Sequence, residues 1–290
     1  MDGKTRRNFT AEAWRGNRKL ALSACVISYN EEDKIRECLK SLSFCEDIVV
    51  VDSFSTDRTV EICEEFTSRI YAKKFEGYIS QKNFALEKTK HNWVLSLDAD
   101  ERVSPELSEQ IATQFSSGFR GYSGFTMRRH SYYIGRWINY CGWYPDYKLR
   151  LFNKQDGCFG GLEPHDTFII NGKVKKLKGE ILHFPCYSLS DHLGAIDRYS
   201  TVKASRLANC SVGKAAALLI FSPLVKFLET YVMKRGFLDG VHGLLICLFS
   251  SFSKLLTYAK VIELKLSRNG PVHPDPIRTH GSISLYQRHP

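Results

Sequence analysis

No uninterrupted run of about 20 apolar residues occurs in the 290-residue chain, so no single stretch reaches the length a bilayer span needs. The two longest apolar runs, Ala215 to Phe221 and Val241 to Phe252, read as interfacial or packing helices. The N-terminus is charged and polar through Lys19 and lacks the apolar core of a secretory signal, so export is not expected. Nine cysteines are present, an odd number, with no C-x-x-C and no metal-ligand spacing; this argues against a disulfide framework and for a reducing cytoplasm. Cys25, Cys38, Cys63 and Cys247 fall among apolar neighbours, where a thiol behaves as a small hydrophobe. Absent too are G-x-G-x-x-G, a Walker A loop, G-x-S-x-G, H-E-x-x-H and any kinase signature, which disfavours hydride and phosphoryl transfer.

What is present is an ordinary globular composition, 43% hydrophobic and 25% charged, which suggests neither disorder nor a polytopic membrane protein. The net charge of +10 is concentrated at the ends. Residues 1–20 carry six Lys/Arg against two Asp/Glu, and residues 201–290 carry twelve against four, leaving the middle slightly acidic. That distribution disfavours a core that reads nucleic acid. It favours terminal segments that meet an anionic surface, with phospholipid headgroups first.

Between residues 20 and 120, strand and helix patterns alternate. Leu22 to Ser28 is β-rich and ends at Tyr29-Asn30-Glu31-Glu32-Asp33, where Asn30 suits a helix N-cap. Ile35, Cys38, Leu39 and Leu42 then recur at helical spacing. Ile48 to Val51 is a continuous apolar strand closed by Asp52 and a Ser/Thr/Asp turn, in which Asp57 suits the cap of the next helix. Ile70 to Ala72, Ile79 to Lys88 and Trp93 to Leu97 read as strand, helix and strand. Ser104-Pro105 opens a further helix with Ser at the cap and Pro at the first position. Such alternation predicts right-handed βαβ crossovers and a largely parallel sheet covered on both faces, with ligands beyond the carboxyl ends of the strands. Asp52 ends one such strand, and Asp98 and Asp100 end another.

Asp98-Ala99-Asp100 is a D-x-D placed directly after an apolar strand. Two carboxylates so spaced on a turn can hold a hard divalent cation, Mg²⁺ or Mn²⁺, which keeps other positions for water and diphosphate oxygens. Asp52 suits a base or ribose contact, or a turn. Lys82 and Arg150 are available as phosphate partners, Lys as a point charge and Arg as a bidentate fork. Trp137, Trp143, Tyr144 and Tyr147 could form an aromatic platform for sugar rings or could pack in the core.

Three segments, Cys25-Val-Ile-Ser-Tyr-Asn-Glu-Glu, Ile48-Val-Val-Val-Asp-Ser-Phe-Ser-Thr-Asp-Arg-Thr and Val94-Leu-Ser-Leu-Asp-Ala-Asp-Glu, resemble the donor-site motifs of family 2 glycosyltransferases with the GT-A fold. Gln81-Lys82-Asn83-Phe84-Ala85, the stretch Gly142 to Phe152, and Lys234-Arg-Gly-Phe-Leu-Asp-Gly240 are similar to a bacterial branch that adds a sugar to the lipopolysaccharide inner core, a β-glucosyltransferase branch. The resemblance covers roughly residues 20–265. It implies that Ser28, Tyr29 and Glu31 line the nucleotide pocket, that Asp52 contacts base or ribose, that Asp98 serves ribose or diphosphate and shares the metal, and that Asp100 is the metal ligand proper. It also implies an acidic general base on the acceptor side. The branch shows His-Glu there, whereas this chain reads Glu163-Pro164-His165-Asp166, so Asp166 takes the place of that Glu and Glu163 is a rival. His165 would orient the base or the substrate, and Trp143, Asp146 and Arg150 would serve the acceptor side.

The implied organisation is a basic arm over 1–20, a nucleotide-sugar binding half over 21–120, an acceptor half of the same GT-A domain over 121–188, a basic amphipathic helical segment over 189–268, and a tail over 269–290. The implied activity is inverting transfer of a hexose, UDP-linked as first choice, to a lipid-linked saccharide, by a cytoplasmic protein peripheral on the inner face of the membrane. A non-catalytic membrane-associated binder of nucleotide sugar or saccharide is the alternative. A nucleotidyltransferase would need a Gly-rich basic loop after the first strand, and Tyr29 to Glu32 is acidic instead.

Overall fold

A computed structural model describes residues 19–163 and 165–269. In chain order the elements are β1 (Leu20–Ser28), α1 (Ile35–Ser41), β2 (Cys45–Asp52), α2 (Thr59–Glu64), β3 (Ile70–Ala72), α3 (Tyr78–Lys88), β4 (Trp93–Asp98), β5 (Glu101–Val103) and α4 (Pro105–Ser116). There follow β6 (Gly124–Tyr133), β7 (Arg136–Trp137), β8 (Asp146–Asn153), β9 (Gly157–Leu162), β10 (His165–Ile170), β11 (Val174–Cys186), α5 (Leu189–Arg206), α6 (Val212–Phe227) and α7 (Gly240–Asn269). The expected arm and tail lie, but for a few residues, outside the described ones.

Two compact units divide the chain. The first comprises residues up to His130 together with Asp146–Phe184, and the second Ser131–Pro145 with Pro185 onward. The boundary falls within β6 and β11, which sequence periodicity does not mark.

In the first unit, the strand order β3-β2-β1-β4 is parallel throughout, as the alternation predicts. β8 then pairs antiparallel to β4 and to β6, and β5 pairs antiparallel to β11, so the sheet is mixed beyond β4. Parallel strands must be covered on both faces, and the buried side chains of β1, β2 and β4 accordingly split into two clusters. Val26, Val50 and Leu95 pack with α1 and α4, while Cys25, Val49, Val51 and Val94 pack with Ala85 and Leu86 of α3. The register sets Ser28 beside Asp52, and Ile27 beside Asp98, at the carboxyl edge.

Local chemistry explains most of the helix starts. Ser104 caps α4, its Oγ accepting from Leu107 N at 3.2 Å, with Pro105 in the first turn. Asp57 accepts from Thr59 N and Thr59 Oγ1 at the start of α2. Asn30 is a correction: α1 begins only at Ile35, and Asn30 adopts φ 51° and accepts from Thr56 N at 2.8 Å. It stitches the loop after β1 to the loop after β2 rather than capping a helix. Asn tolerates the left-handed region because its short side chain can bond locally.

In the second unit, α6 and α7 pack against each other through a short connection. The Lys234 to Gly240 motif makes that connection. Buried Asp239 accepts from Asn139 N and, at 2.8 Å, from Tyr140 N, tying the 131–145 segment to the turn. Gly243 permits a close crossing, since a Cβ there would lie 1.9 Å from Gly236 O. The apolar runs are embedded in longer helices than their length suggests. Val212–Met233 and Gly236–Ser267 are each long and apolar enough to cross a membrane, by length and composition only. Pro223 lies inside α6 without ending it, and Lys226 and Glu229, which pair with each other at 3.0 Å, fall in continuous helical structure.

Candidate active site

Two of the parallel strands, β2 and β4, end on a carboxylate, where an apolar run gives way to a turn that Asp favours. At the end of β2, buried Asp52 accepts from Ser28 Oγ at 3.0 Å, Ser55 N at 2.7 Å and Ser55 Oγ at 2.6 Å. Next to it, the loop after β1 is held by Glu31 N donating to Thr59 Oγ1 at 2.8 Å and by a Lys34–Glu31 ion pair at 2.9 Å. Burial pushes the Glu31 carboxyl up, against the pull of Lys34. Tyr29 follows β1 directly and is partly buried.

At the end of β4, Asp98 meets two cations at once. Its Oδ1 lies 2.9 Å from Lys82 Nζ and its Oδ2 accepts from Arg150. Burial alone would raise this carboxyl, but Arg150 and then Lys82 outweigh it and hold Asp98 well below the usual carboxylate range. A depressed acid stabilises the fold at pH above its unfolded value, about 3.9, and loses that contribution as pH falls through the folded value. Asp98→Asn is therefore expected to lower stability at pH 7, with the gap from the parent chain narrowing below about pH 4. Urea midpoints at the two pH values test this; an unchanged gap in acid would mean that the ion pairs are not its source.

Lys82, on α3 and 3% exposed, reaches the other way to Asp166 Oδ2 on β10 at 2.8 Å. Arg150, on β8, also meets Glu101 Oε1 at 2.7 Å, and among the described residues its buried Nε has no partner. Glu101 is wholly buried, accepts from Asp98 N at 3.1 Å and lies 3.3 Å from Arg129. Arg129 in turn pairs with Asp146 at 2.8 Å. The result is one chain of alternating charge, Asp166–Lys82–Asp98–Arg150–Glu101–Arg129–Asp146, in which each buried ion is compensated on both sides where it has two neighbours.

Asp100 is set apart from that chain. Its Oδ2 faces His183 Nε2 of β11 at 3.3 Å, and although burial raises its carboxyl, His183 outweighs this and the net shift is downward. Among the described residues no three His, Cys, Asp or Glu converge as a ready-made metal cluster. The pair Asp100 and His183 offers one oxygen and one nitrogen donor, a partial set that could hold a divalent cation only with further ligands from a bound diphosphate and water. Asp98, with both oxygens engaged by cations, is less suited to share it.

Other sequence candidates have defined surroundings. Glu163 Oε1 accepts from Ile79 N at 2.8 Å at the start of α3, where the helix dipole favours a carboxylate. Gly77, at φ 125°, makes room for it, since a Cβ there would lie 2.8 Å from that oxygen. His165 places its backbone opposite Leu162 in the β9–β10 pair, while its side chain lies outside the described set. Trp143 belongs to the second unit and packs edge-on against Tyr133, with ring centroids 5.6 Å apart. Glu101, Arg129 and His183 have no local sequence signal beyond Glu101 following the D-x-D.

The glycosyl transferase family 2 model matches residues 23–167, which spans β1 to β10. The chain belongs to that family, and its parallel half with carboxylates at the strand ends is the GT-A arrangement. It is similar to the lipopolysaccharide core biosynthesis glycosyltransferase LpsC of Rhizobium meliloti (strain 1021), with 29% identity over 84% of this chain and 93% of that protein. It is likewise similar to the uncharacterized glycosyltransferase RT0209 of Rickettsia typhi, with 30% identity over 86% and 89% of the two chains. Among solved structures, S. aureus TarS 1–349 in complex with UDP-GlcNAc covers 86% of this chain and 91% of that chain at 14% identity and a TM-score of 0.43. That likeness is too loose to bear on ligands or residues.

Proposed function

We propose that the chain moves a hexose, UDP-linked as first choice, to a hydroxyl of a lipid-linked saccharide such as lipopolysaccharide inner core, with inversion at the anomeric carbon. The observation that carries this reading is Lys82, which lies between Asp98 at the donor edge and Asp166 2.8 Å away on β10. One buried cation thereby links a carboxylate suited to the donor with one suited to the acceptor. The name of LpsC supports the choice of acceptor class.

Asp52 and Ser28 would bind base or ribose, with Tyr29 and Glu31 beside them. Lys82 and Arg150 would meet the diphosphate, and the unpartnered Arg150 Nε is a donor left over for an anion. Asp100 with His183 would hold Mg²⁺ or Mn²⁺, which when bound offsets charge on the departing nucleoside diphosphate. Asp166 takes the proton of the acceptor hydroxyl as that oxygen bonds to the anomeric carbon and the bond from that carbon to phosphate oxygen breaks. Lys82 holds Asp166 by one oxygen, which fixes the direction of the other. The basic helical segment would keep the protein on the anionic inner face of the cytoplasmic membrane, beside a lipid-borne acceptor.

A panel of nucleotide sugars, scanned for Mn²⁺- or Mg²⁺-dependent thermal stabilisation and then for slow hydrolysis, tests the donor assignment. Asp100→Ala is expected to lower metal-dependent turnover by roughly 100- to 1,000-fold with the fold intact. Retained turnover would sink the metal role of Asp100.

A further inference from the structure

An amphipathic helix of a soluble protein has one apolar stripe, and that stripe is buried. α7 has two. Gly243, Ile246, Cys247, Thr257 and Val261 face inward and are buried. On the opposite side Val241, Leu244, Leu248, Phe252, Leu255 and Leu266 recur at intervals of three, four and eleven residues and are all exposed. At 1.5 Å per residue this outward stripe runs for roughly 38 Å along the helix. α6 repeats the pattern, with Ile220, Phe221, Leu224 and Val225 exposed at helical spacing, and the helical turn that follows it, Leu228–Met233, continues it with Leu228, Val232 and Met233, the last 78% exposed. Monomeric proteins do not leave apolar surface of this extent in water.

The charges within the hairpin do not interrupt these stripes. Between Ala215 and Ser253 the ionisable acids and bases other than His are Lys226, Glu229, Lys234, Arg235 and Asp239. Glu229 pairs with both Lys226, at 3.0 Å, and Lys234, and Asp239 is buried against backbone N–H groups. The described second unit as a whole is basic, with twelve Lys/Arg against five Asp/Glu. A second copy of so basic a surface would be repelled, whereas an anionic bilayer would be attracted.

We propose that the outward stripes of α6 and α7 together form a bilayer-docking face that lies in the plane of the membrane, the apolar side chains entering the boundary between headgroups and acyl chains. Crossing is disfavoured by the charges. In α6 the stretch from Ala215 to Val225 before the first charge is roughly 16 Å long, about half the hydrocarbon thickness of about 30 Å. Lys260 in the second half of α7 pairs with Asp197 at 2.6 Å, so the attraction to anionic headgroups rests on the net positive charge of the unit as a whole. The inference deepens the peripheral-membrane part of the proposed function and rests on it, but not on the transfer chemistry.

Flotation of the full chain with vesicles of phosphatidylcholine alone or with about one-third phosphatidylglycerol tests it, with donor hydrolysis measured on the same preparations. The parent chain is expected to float with the anionic vesicles and to resist a high-salt wash in part, since salt screens only the electrostatic share. The double variant Leu248→Glu, Phe252→Glu is expected to reduce bound protein at least tenfold while hydrolysis is unchanged. Because both positions are exposed, folding is not at stake, and near-ultraviolet dichroism checks it. A parent chain that ignores both vesicles overturns the proposal, as does a double variant that floats equally well. Sedimentation showing a dimer that the double variant dissolves would assign the face to a second copy instead. Resistance to alkaline extraction would assign it to membrane spans. Loss of hydrolysis with flotation intact would count against the transfer reading and leave the docking face standing.

Discussion

Asp166→Asn is expected to lower the rate of sugar transfer by roughly 10²- to 10⁴-fold, the range a positioned general base supplies, while donor affinity changes little. The substitution keeps the shape of the side chain and an oxygen for Lys82, which retains Asp98 at 2.9 Å as its other partner. What is lost is the capacity to take a proton. Glu163→Gln separates the two acidic rivals. Glu163 spends one oxygen on Ile79 N at the start of α3, an acceptor role that glutamine preserves, so the cost there is a helix-dipole interaction of about 0.3–1 kcal/mol rather than the reaction. Single-turnover rates on an acceptor fraction, with donor binding measured by calorimetry, decide between them. An active Asp166→Asn beside an inactive Glu163→Gln would reverse the assignment.

Glu101→Gln is expected to cost about 3–5 kcal/mol of stability, the usual consequence of removing one partner from a buried ion pair. Glu101 is wholly buried and is the anion between Arg150, at 2.7 Å, and Arg129, at 3.3 Å. Glutamine fills the space and still accepts a hydrogen bond, so packing is preserved and the loss isolates charge. Arg150 would keep Asp98 and Arg129 would keep Asp146, but two guanidinium groups would share one anion fewer inside the fold. Chemical denaturation at neutral pH reads the effect directly. A loss under about 1 kcal/mol would mean that water or rearranged neighbours compensate the arginines, and that the alternating chain is not a structural unit.

The alternating chain also explains why some of the site was legible in the sequence and some was not. Asp52 and Asp98 stand at the ends of apolar runs, and both the runs and the turns that stop them are local features, set by β-branched residues and by the turn preferences of Asp and Ser. Lys82 was recognisable as a cation near the donor. That it is spent on two carboxylates was not, because Asp166 lies 84 residues further on and only the packing of α3 against β10 joins them. Arg129 reads as one of several basic residues in β6, and its pairing with Glu101 and Asp146 depends on the antiparallel register of β6 with β8.

The helical hairpin taught the converse lesson. The apolar run Ala215 to Phe221 reads as ending before Pro223, yet α6 continues through Pro223 to Phe227 and helical structure goes on to Met233, with Lys226 and Glu229 paired one turn apart.

By itself the sequence determined the parallel half of the sheet, the carboxylates at its edge and the family, since each is written in contiguous residues whose period or composition dictates local structure. Only the tertiary structure decided how those carboxylates divide their work. Asp98 is enclosed by Lys82 and Arg150, while Asp100 faces His183 across the β5–β11 pairing. Two aspartates with a single residue between them, at the end of β4 and just beyond it, point into different surroundings, and the charges that surround each come from strands and a helix whose register no local pattern encodes.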